Sequence, residues 1–239
     1  MRNYLTFDGL DSRDYGVYIS GQGTFSAPAK EYTMLSVPGR DGDLIGPERR
    51  LQNLDVVYPA FIYDSFAAKV EDFRNMLLSR DGYVELRDSY HPDEFRLAVY
   101  RGPFTPDVTR LNNAGSFDLT FHCKPQRYLD NGQIWLDAPS SVTNPTQFSA
   151  RPLIRIPAQA SSYSGTITVG AVTVMLTDIP ANVVVYVDCE MQDVYGAGGQ
   201  NLNQSTQLTG YDFPVLRPGA TGLSWTVPTL SVMGRWFVV

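Results

Sequence analysis

From Ser65 to Arg80 the apolar residues Phe66, Val70, Phe73, Met76 and Leu77 recur three and four positions apart, the spacing that gathers side chains on one face of an α-helix. Asp64 or Ser65 stands where a side chain can cap the N-terminus by accepting an orphaned backbone N–H. Gly82 lies just past the end, where a left-handed residue is favoured. Around this helix the period changes to two. Phe95, Leu97 and Val99 alternate with Arg96, Ala98 and Tyr100, and Phe117, Leu119, Phe121 and Cys123 alternate with Asp118, Thr120 and His122. Both stretches predict strands, and the turn-forming run Asp88-Ser89-Tyr90-His91-Pro92-Asp93 joins Tyr83–Arg87 to Phe95–Tyr100 as a hairpin. The second half has no helical period. It offers Leu153–Ile156, Gly165–Val169, Val172–Leu176, Val183–Cys189, Leu223–Val227 and Arg235–Val239, separated at close spacing by Gly, Pro and Ser. That rhythm predicts a β-sandwich or jelly-roll.

Surface chemistry divides the chain in two. Of the first 130 residues 34 are charged, whereas only 10 of the last 109 are; Ser, Thr, Asn and Gln fill 32 positions of that second stretch. A single domain seldom changes its surface so sharply, and 239 residues exceed the roughly 100–200 of one ordinary domain. The turn Asp130-Asn131-Gly132, the short apolar patch Ile134-Trp135-Leu136 and then Ala138-Pro139-Ser140-Ser141 mark the edge, which predicts domains 1–133 and 134–239. The formal charge is −6 with no Lys/Arg cluster, which disfavours a general binder of nucleic acid or anionic membranes. No apolar run approaches a transmembrane span, and the first nine residues lack the apolar core of a signal peptide. Two cysteines make no disulfide framework, so the expectation is a soluble chain made and folded in a cytosol.

The chain is poor in candidate chemistry. Ser89, His91 and Asp93 have the residue types of a catalytic triad, but neighbours in one turn cannot aim at each other as a triad requires. His122 and Cys123 point to opposite faces of one strand, which excludes a shared metal. Asp41-Gly42-Asp43 with Glu48 begins like a calcium loop and then loses the register; Asp8, Asp11 and Asp14 read likewise as solvated acids. Gly196-Ala197-Gly198-Gly199 follows a strand but precedes Gln200-Asn201-Leu202-Asn203-Gln204, a loop with no helix N-terminus to cradle phosphate. Trp225 and Trp236, the aromatic residues a sugar platform would use, fall within predicted strands, where core packing is the commoner fate. No catalytic, cofactor-binding or metal-ligating residue is assigned, and the chain reads as a non-enzyme.

Several segments, in order, resemble the distal tail protein family of long, non-contractile-tailed bacteriophages. They are Phe7-Asp8-Gly9 through Asp14-Tyr15-Gly16-Val17; Val37-Pro38-Gly39-Arg40-Asp41-Gly42, the most specific string; the helix ending in Leu77-Leu78; and Phe117 to Pro125. Arg151-Pro152-Leu153-Ile154, Val187-Asp188-Cys189-Glu190, Phe213 to Gly219 and the terminal Arg235-Trp236-Phe237 continue the match. The chain departs from it at Thr221, where the pattern has Asn after the Pro-Gly turn. The resemblance implies a mainly β protein with an N-terminal β-sandwich and one flanking α-helix, then a C-terminal galectin-like β-sandwich. It implies a structural virion protein at the tail tip, six copies of which close into a ring around the tail channel. One face of that ring meets the tail tube protein and the other the tail-associated spike or lysin protein, while the second domain carries receptor-binding proteins. Within this frame Val37, Pro38, Gly39, Arg40, Asp41 and Gly42 form the tip of an arm, roughly Thr24 to Arg50, that reaches a neighbouring subunit. Pro38 fixes one dihedral, Gly39 and Gly42 permit tight turning, and Arg40 and Asp41 offer charges of both signs. The alternative is a carbohydrate-binding module acting through the C-terminal sandwich in adhesion to the host surface.

Overall fold

The computed structural model describes residues 2–21, 24–46, 50–108 and 113–239, and it divides into two units, Met1–Arg127 with Val239, and Tyr128–Val238. The first unit runs β1 (Leu5–Phe7), β2 (Leu10–Asp11), β3 (Tyr18–Ile19), β4 (Met34–Leu35), β5 (Leu44–Ile45), β6 (Leu54–Ile62), α1 (Phe66–Leu78), β7 (Val84–Asp88), β8 (Glu94–Tyr100), β9 (Asp107–Val108) and β10 (Gly115–Leu129). Its main sheet has the order β2-β1-β7-β8-β10-β6-β3. The alternation read in the sequence sets the faces: Phe117, Leu119, Phe121 and Cys123 of β10 are buried, as are Val56, Tyr58, Ala60 and Ile62 of antiparallel β6 beside it. Phe7 of β1 and Phe121 of β10 meet with ring centroids 5.1 Å apart, although their strands are three places apart in the sheet. Three strand spacings in a flat sheet would put them about 14 Å apart. The sheet is therefore curled, and its inner faces confront each other as the layers of a sandwich do.

Helix α1 closes the open side of this curl. Phe66, Phe73, Met76 and Leu77 are buried, and Phe73 packs on Phe117 at 6.2 Å and Tyr15 at 5.7 Å. The predicted cap is not made. Ser65 adopts a left-handed backbone (φ 54°, ψ 38°) rather than the extended one that folds a capping hydroxyl over the first turn, and Asp64 instead pairs with Lys69 at 2.8 Å. Gly82 does turn left-handed, at φ 75°, four residues beyond the last helical residue.

Strand β6 has no counterpart in the sequence reading, and it contains Pro59, a residue that normally demotes a run from a sheet interior. The structure shows how it is accommodated. The N–H and C=O of a strand residue point to the same neighbour, and Pro59 offers its C=O to the Ser20 N–H at 2.7 Å. The missing donor thus falls on the β3 side, just where β3 has ended at Ile19.

The second unit comprises β11 (Trp135–Asp137), β12 (Ser141–Asn144), β13 (Leu153–Ile156), β14 (Tyr163–Val169), β15 (Val172–Ile179), β16 (Val185–Asp188), β17 (Asp193–Gly196), β18 (Thr206–Leu208), β19 (Gly219–Trp225), β20 (Ser231–Met233) and β21 (Phe237–Val238). Two five-stranded antiparallel sheets, β11-β20-β13-β16-β17 and β12-β19-β14-β15-β18, enclose one core. Ile154, Ile156, Val185, Val187 and Val232 face Val142, Ile167, Val169, Val174, Leu176 and Leu223 across it. Thr221, the departure from the family pattern, pairs with Val142 in the β12–β19 ladder, and its C=O accepts the Ser141 hydroxyl at 3.3 Å. Trp236 belongs to the core. A Cβ on Gly234 would stand 2.2 Å from its indole ring, so glycine is required for that approach.

One buried ion pair fixes the end of this sandwich. Asp188 is 2% exposed and takes both terminal nitrogens of Arg235, at 2.8 and 3.1 Å, while the N–H groups of Glu190 and Met191 donate to Oδ1. Burial alone pushes the Asp188 carboxyl up; the Arg235 guanidinium and the two N–H groups outweigh it and hold the carboxyl below its usual range. The stabilisation from a depressed carboxylate is complete above the unfolded value near about 3.9 and drains away as pH falls through the folded one. Asp188→Asn is expected to cost the second unit about 3 kcal/mol at pH 7, because it leaves the half-buried Arg235 only the more distant and more exposed Glu190, at 3.8 Å, as counter-charge. The gap between variant and wild type should narrow in denaturant titrations below about pH 3. Equal stability at pH 7 would show that the pair is dispensable.

Candidate functional site: an exposed two-sided β-ribbon

The string singled out in the sequence lies at the far end of a ribbon that leaves the first unit. The bridge Lys30↔Leu51 opens it, the Glu31 N–H donates to Arg50 O at 2.8 Å, and the Gly46 N–H to Thr33 O at 2.8 Å. Beyond these, β4 and β5 pair as Met34↔Ile45 and Leu35↔Leu44. Val37 O then accepts the Arg40 N–H at 3.1 Å around Pro38-Gly39, with Gly39 at φ 80°. Proline second and a left-handed glycine third make this a type II turn. Gly42, also at φ 80°, turns the chain back toward β5. Val37, Pro38, Gly39, Arg40, Asp41 and Gly42 are therefore the ribbon's tip.

What distinguishes the ribbon is its cover. Every residue from Ala29 to Ile45 is exposed. Cross-strand partners share a face, so Met34 with Ile45 and Leu35 with Leu44 make both faces apolar. Residues 25–45 hold seven of the sixteen exposed large hydrophobic residues among those described. Scattered apolar residues are ordinary on a surface, whereas such a concentration is unusual. Arg40 and Asp41 form no ion pair among the described residues. Glu48, the last acid of the calcium-like run, lies outside the described residues.

The residues weighed for chemistry have structural partners. His91 Nδ1 lies 2.9 Å from Asp88 Oδ1, which also accepts the N–H groups of Tyr90 and His91; Asp88 Oδ2 accepts the Tyr58 hydroxyl at 2.8 Å. Burial, and then the charge of Asp88, push the Tyr58 phenol well up, which keeps its proton on the donating side. Asp88 is thus the buried hub of this hairpin, a role the turn-forming run concealed. Ser89 accepts the Tyr4 N–H and donates to Asn3 Oδ1, away from His91. His122 sits between Asp55, at 2.7 Å, and Asn53, at 3.1 Å, while Cys123 on the opposite face is fully buried. Burial pushes the thiols of Cys123 and Cys189 up to about 12, so neither is a nucleophile. Asp8 pairs with Arg80 and Asp11 with Arg13. Gly196 to Gly199 close on themselves, with the Gly199 N–H on Gly196 O and the Gly196 N–H on Gln200 O. With the Ala197 N–H on Val184 O, three of the four amides are used within the fold, and the next element is the three-residue turn Asn203–Ser205. In the second unit Trp236 is buried and Trp225 packs against the same core. The sequence reading passed over Tyr186 and Tyr195, stacked at 5.5 Å across β16 and β17, and Arg155 over Trp135 at 4.7 Å. They become visible only once the register is known.

No family model and no curated protein matches the sequence. Solved structures do. The crystal structure of the Dit (gp 19.1) protein of phage SPP1, described as a paradigm of the hub adsorption apparatus in phages infecting Gram-positive bacteria, superposes with a TM-score of 0.74 at 20% identity. The match covers 97% of this chain and 98% of that one. A chain of the phage P2 baseplate, in its activated conformation with Ca, matches with a TM-score of 0.58 at 10% identity, covering 97% of each. Over nearly its whole length, the chain shares the fold of these two phage tail structures.

Proposed function

We propose that the chain is the distal tail hub of a long non-contractile-tailed bacteriophage or prophage. Six copies close through the first unit into a ring that joins the tail tube protein to the tail-associated spike or lysin protein. The second unit faces outward and carries receptor-binding proteins. The observation that carries this reading is the fold shared with SPP1 Dit over 97% of this chain and 98% of that one. The ribbon supports it independently. Two paired dipeptides with apolar residues on both faces cannot stabilise themselves in water, and a neighbouring subunit supplies the cover they lack. A cyclic assembly uses two different surfaces of each copy, which suits an arm that projects from one place and docks at another.

The charge agrees with a channel for nucleic acid. Each chain carries −6, so a ring of six carries about −36, a field that lets a polyanion slide rather than bind. The function is mechanical and needs neither catalysis nor a cofactor. For the rival reading, a carbohydrate-binding module, Trp225 and Trp236 are the less available aromatic residues, since both pack on the core.

Light scattering coupled to size exclusion is expected to give six times the chain mass at high concentration, with monomer on dilution. The paired change Arg40→Ala and Asp41→Ala should shift that equilibrium toward monomer and leave thermal stability within about 0.5 kcal/mol of wild type, as for other exposed positions. A dimer that never grows larger would refute the ring; a variant that assembles like wild type would refute the arm.

A further inference from the structure

Beside α1 the first unit carries a groove of about 510 Å³ with no assigned role. Phe66 and Val70 of the helix and Phe104 and Pro106 of the segment before β9 form its apolar floor, and Glu71 and Arg74 stand on its rim. We propose that this groove receives the ribbon tip of the neighbouring copy, with Val37 and Pro38 on the floor, Arg40 against Glu71 and Asp41 against Arg74. The inference rests on the ring reading above and names the surface that the arm engages.

Charge complementarity selects the occupant. Glu71 and Arg74 are three residues apart on one helical face and pair with each other at 3.5 Å, both well exposed. Such a pair contributes little in water, so exchanging it for two contacts with an incoming strand costs little. The tip brings the opposite signs in adjacent positions, Arg40 and Asp41, with two apolar residues just before them. Reach fits as well. Ten residues separate Lys30 at the ribbon's base from Arg40, about 33 Å if extended, against a radius of gyration of about 14 Å for a unit of this length. That length is enough to pass beyond the unit, and the tip residues are all exposed, Val37 at 37%.

A disulfide trap tests the contact. Val37→Cys and Ala67→Cys place one thiol on the tip and one on the groove wall, both at exposed positions, so folding is unaffected; Cys123 and Cys189, fully buried, stay silent. Mild oxidation of the assembled full-length double variant should give a reducible ladder up to six chains, while each single-cysteine variant gives no ladder. Rings by light scattering without cross-linked multimers would overturn the groove contact and leave the arm reading standing. A fast-migrating monomer with an internal disulfide would show that the tip docks on its own chain. Failure to assemble at any concentration would overturn both. As a second measure, Glu71→Arg with Arg74→Glu should weaken assembly at least tenfold, and adding Arg40→Glu with Asp41→Arg should restore it. Assembly unmoved by the first pair, or not restored by the second, would also overturn the contact.

Discussion

A pleated strand presents its side chains to two faces, and any face made apolar has to be covered. Most of this fold follows from that requirement. In β10 one face is Phe117, Leu119, Phe121 and Cys123, and covering it brings β6 alongside, curls the sheet until Phe7 lies on Phe121, and draws the apolar stripe of α1 across the remaining gap. The second unit meets the same requirement with two sheets face to face. The ribbon does not meet it. Met34, Leu35, Leu44 and Ile45 make both of its faces apolar, and its own chain covers neither. The same rule that explains two cores therefore singles out one segment whose apolar faces have no cover in its own chain.

The two units carry different surfaces on similar strand architecture. The first holds most of the charge and spends it locally, in pairs such as Asp8 with Arg80 and Asp64 with Lys69, and at the buried hub of Asp88. The second is wetted by neutral side chains and keeps one ion pair of consequence inside, Asp188 with Arg235. In both, the groups that bear reactive chemistry elsewhere serve architecture. His91 completes the ligation of Asp88, His122 is held by Asp55 and Asn53, and the thiols are buried.

Local periodicity made part of this legible before any coordinates. The stripe of α1 and the alternation of β10 appear in the sequence because burial there obeys a simple period. Strand β8 alternates as read, but its buried face is Arg96, Ala98 and Tyr100, while Phe95, Leu97 and Val99 are half-buried on the other side. Strand β6 contains Pro59, whose tolerance depends on where β3 ends, a fact of the sheet rather than of the run. The cap of α1 failed for a similar reason, since the backbone angle of Ser65 is set by the turn from β6 into the helix. Asp88 looked like turn material and proved to be a buried acceptor of four hydrogen bonds, because Tyr58 reaches it from thirty residues away. For the candidate site, Val37 to Gly42 stood out through proline and glycine, which encode turns locally. The exposure of Met34, Leu35, Leu44 and Ile45 could not be read, since apolar residues in a short strand ordinarily predict a core.

The central claim is that the ribbon is ordered by another copy of the chain, and amide hydrogen exchange reads this residue by residue. Backbone amides of residues 30–46 should exchange rapidly in dilute, monomeric protein and become protected as concentration drives assembly, while amides of β10 and β13 stay protected throughout. Exchange in the ribbon that is equally slow at every concentration, or equally fast in the assembled protein, would contradict the account.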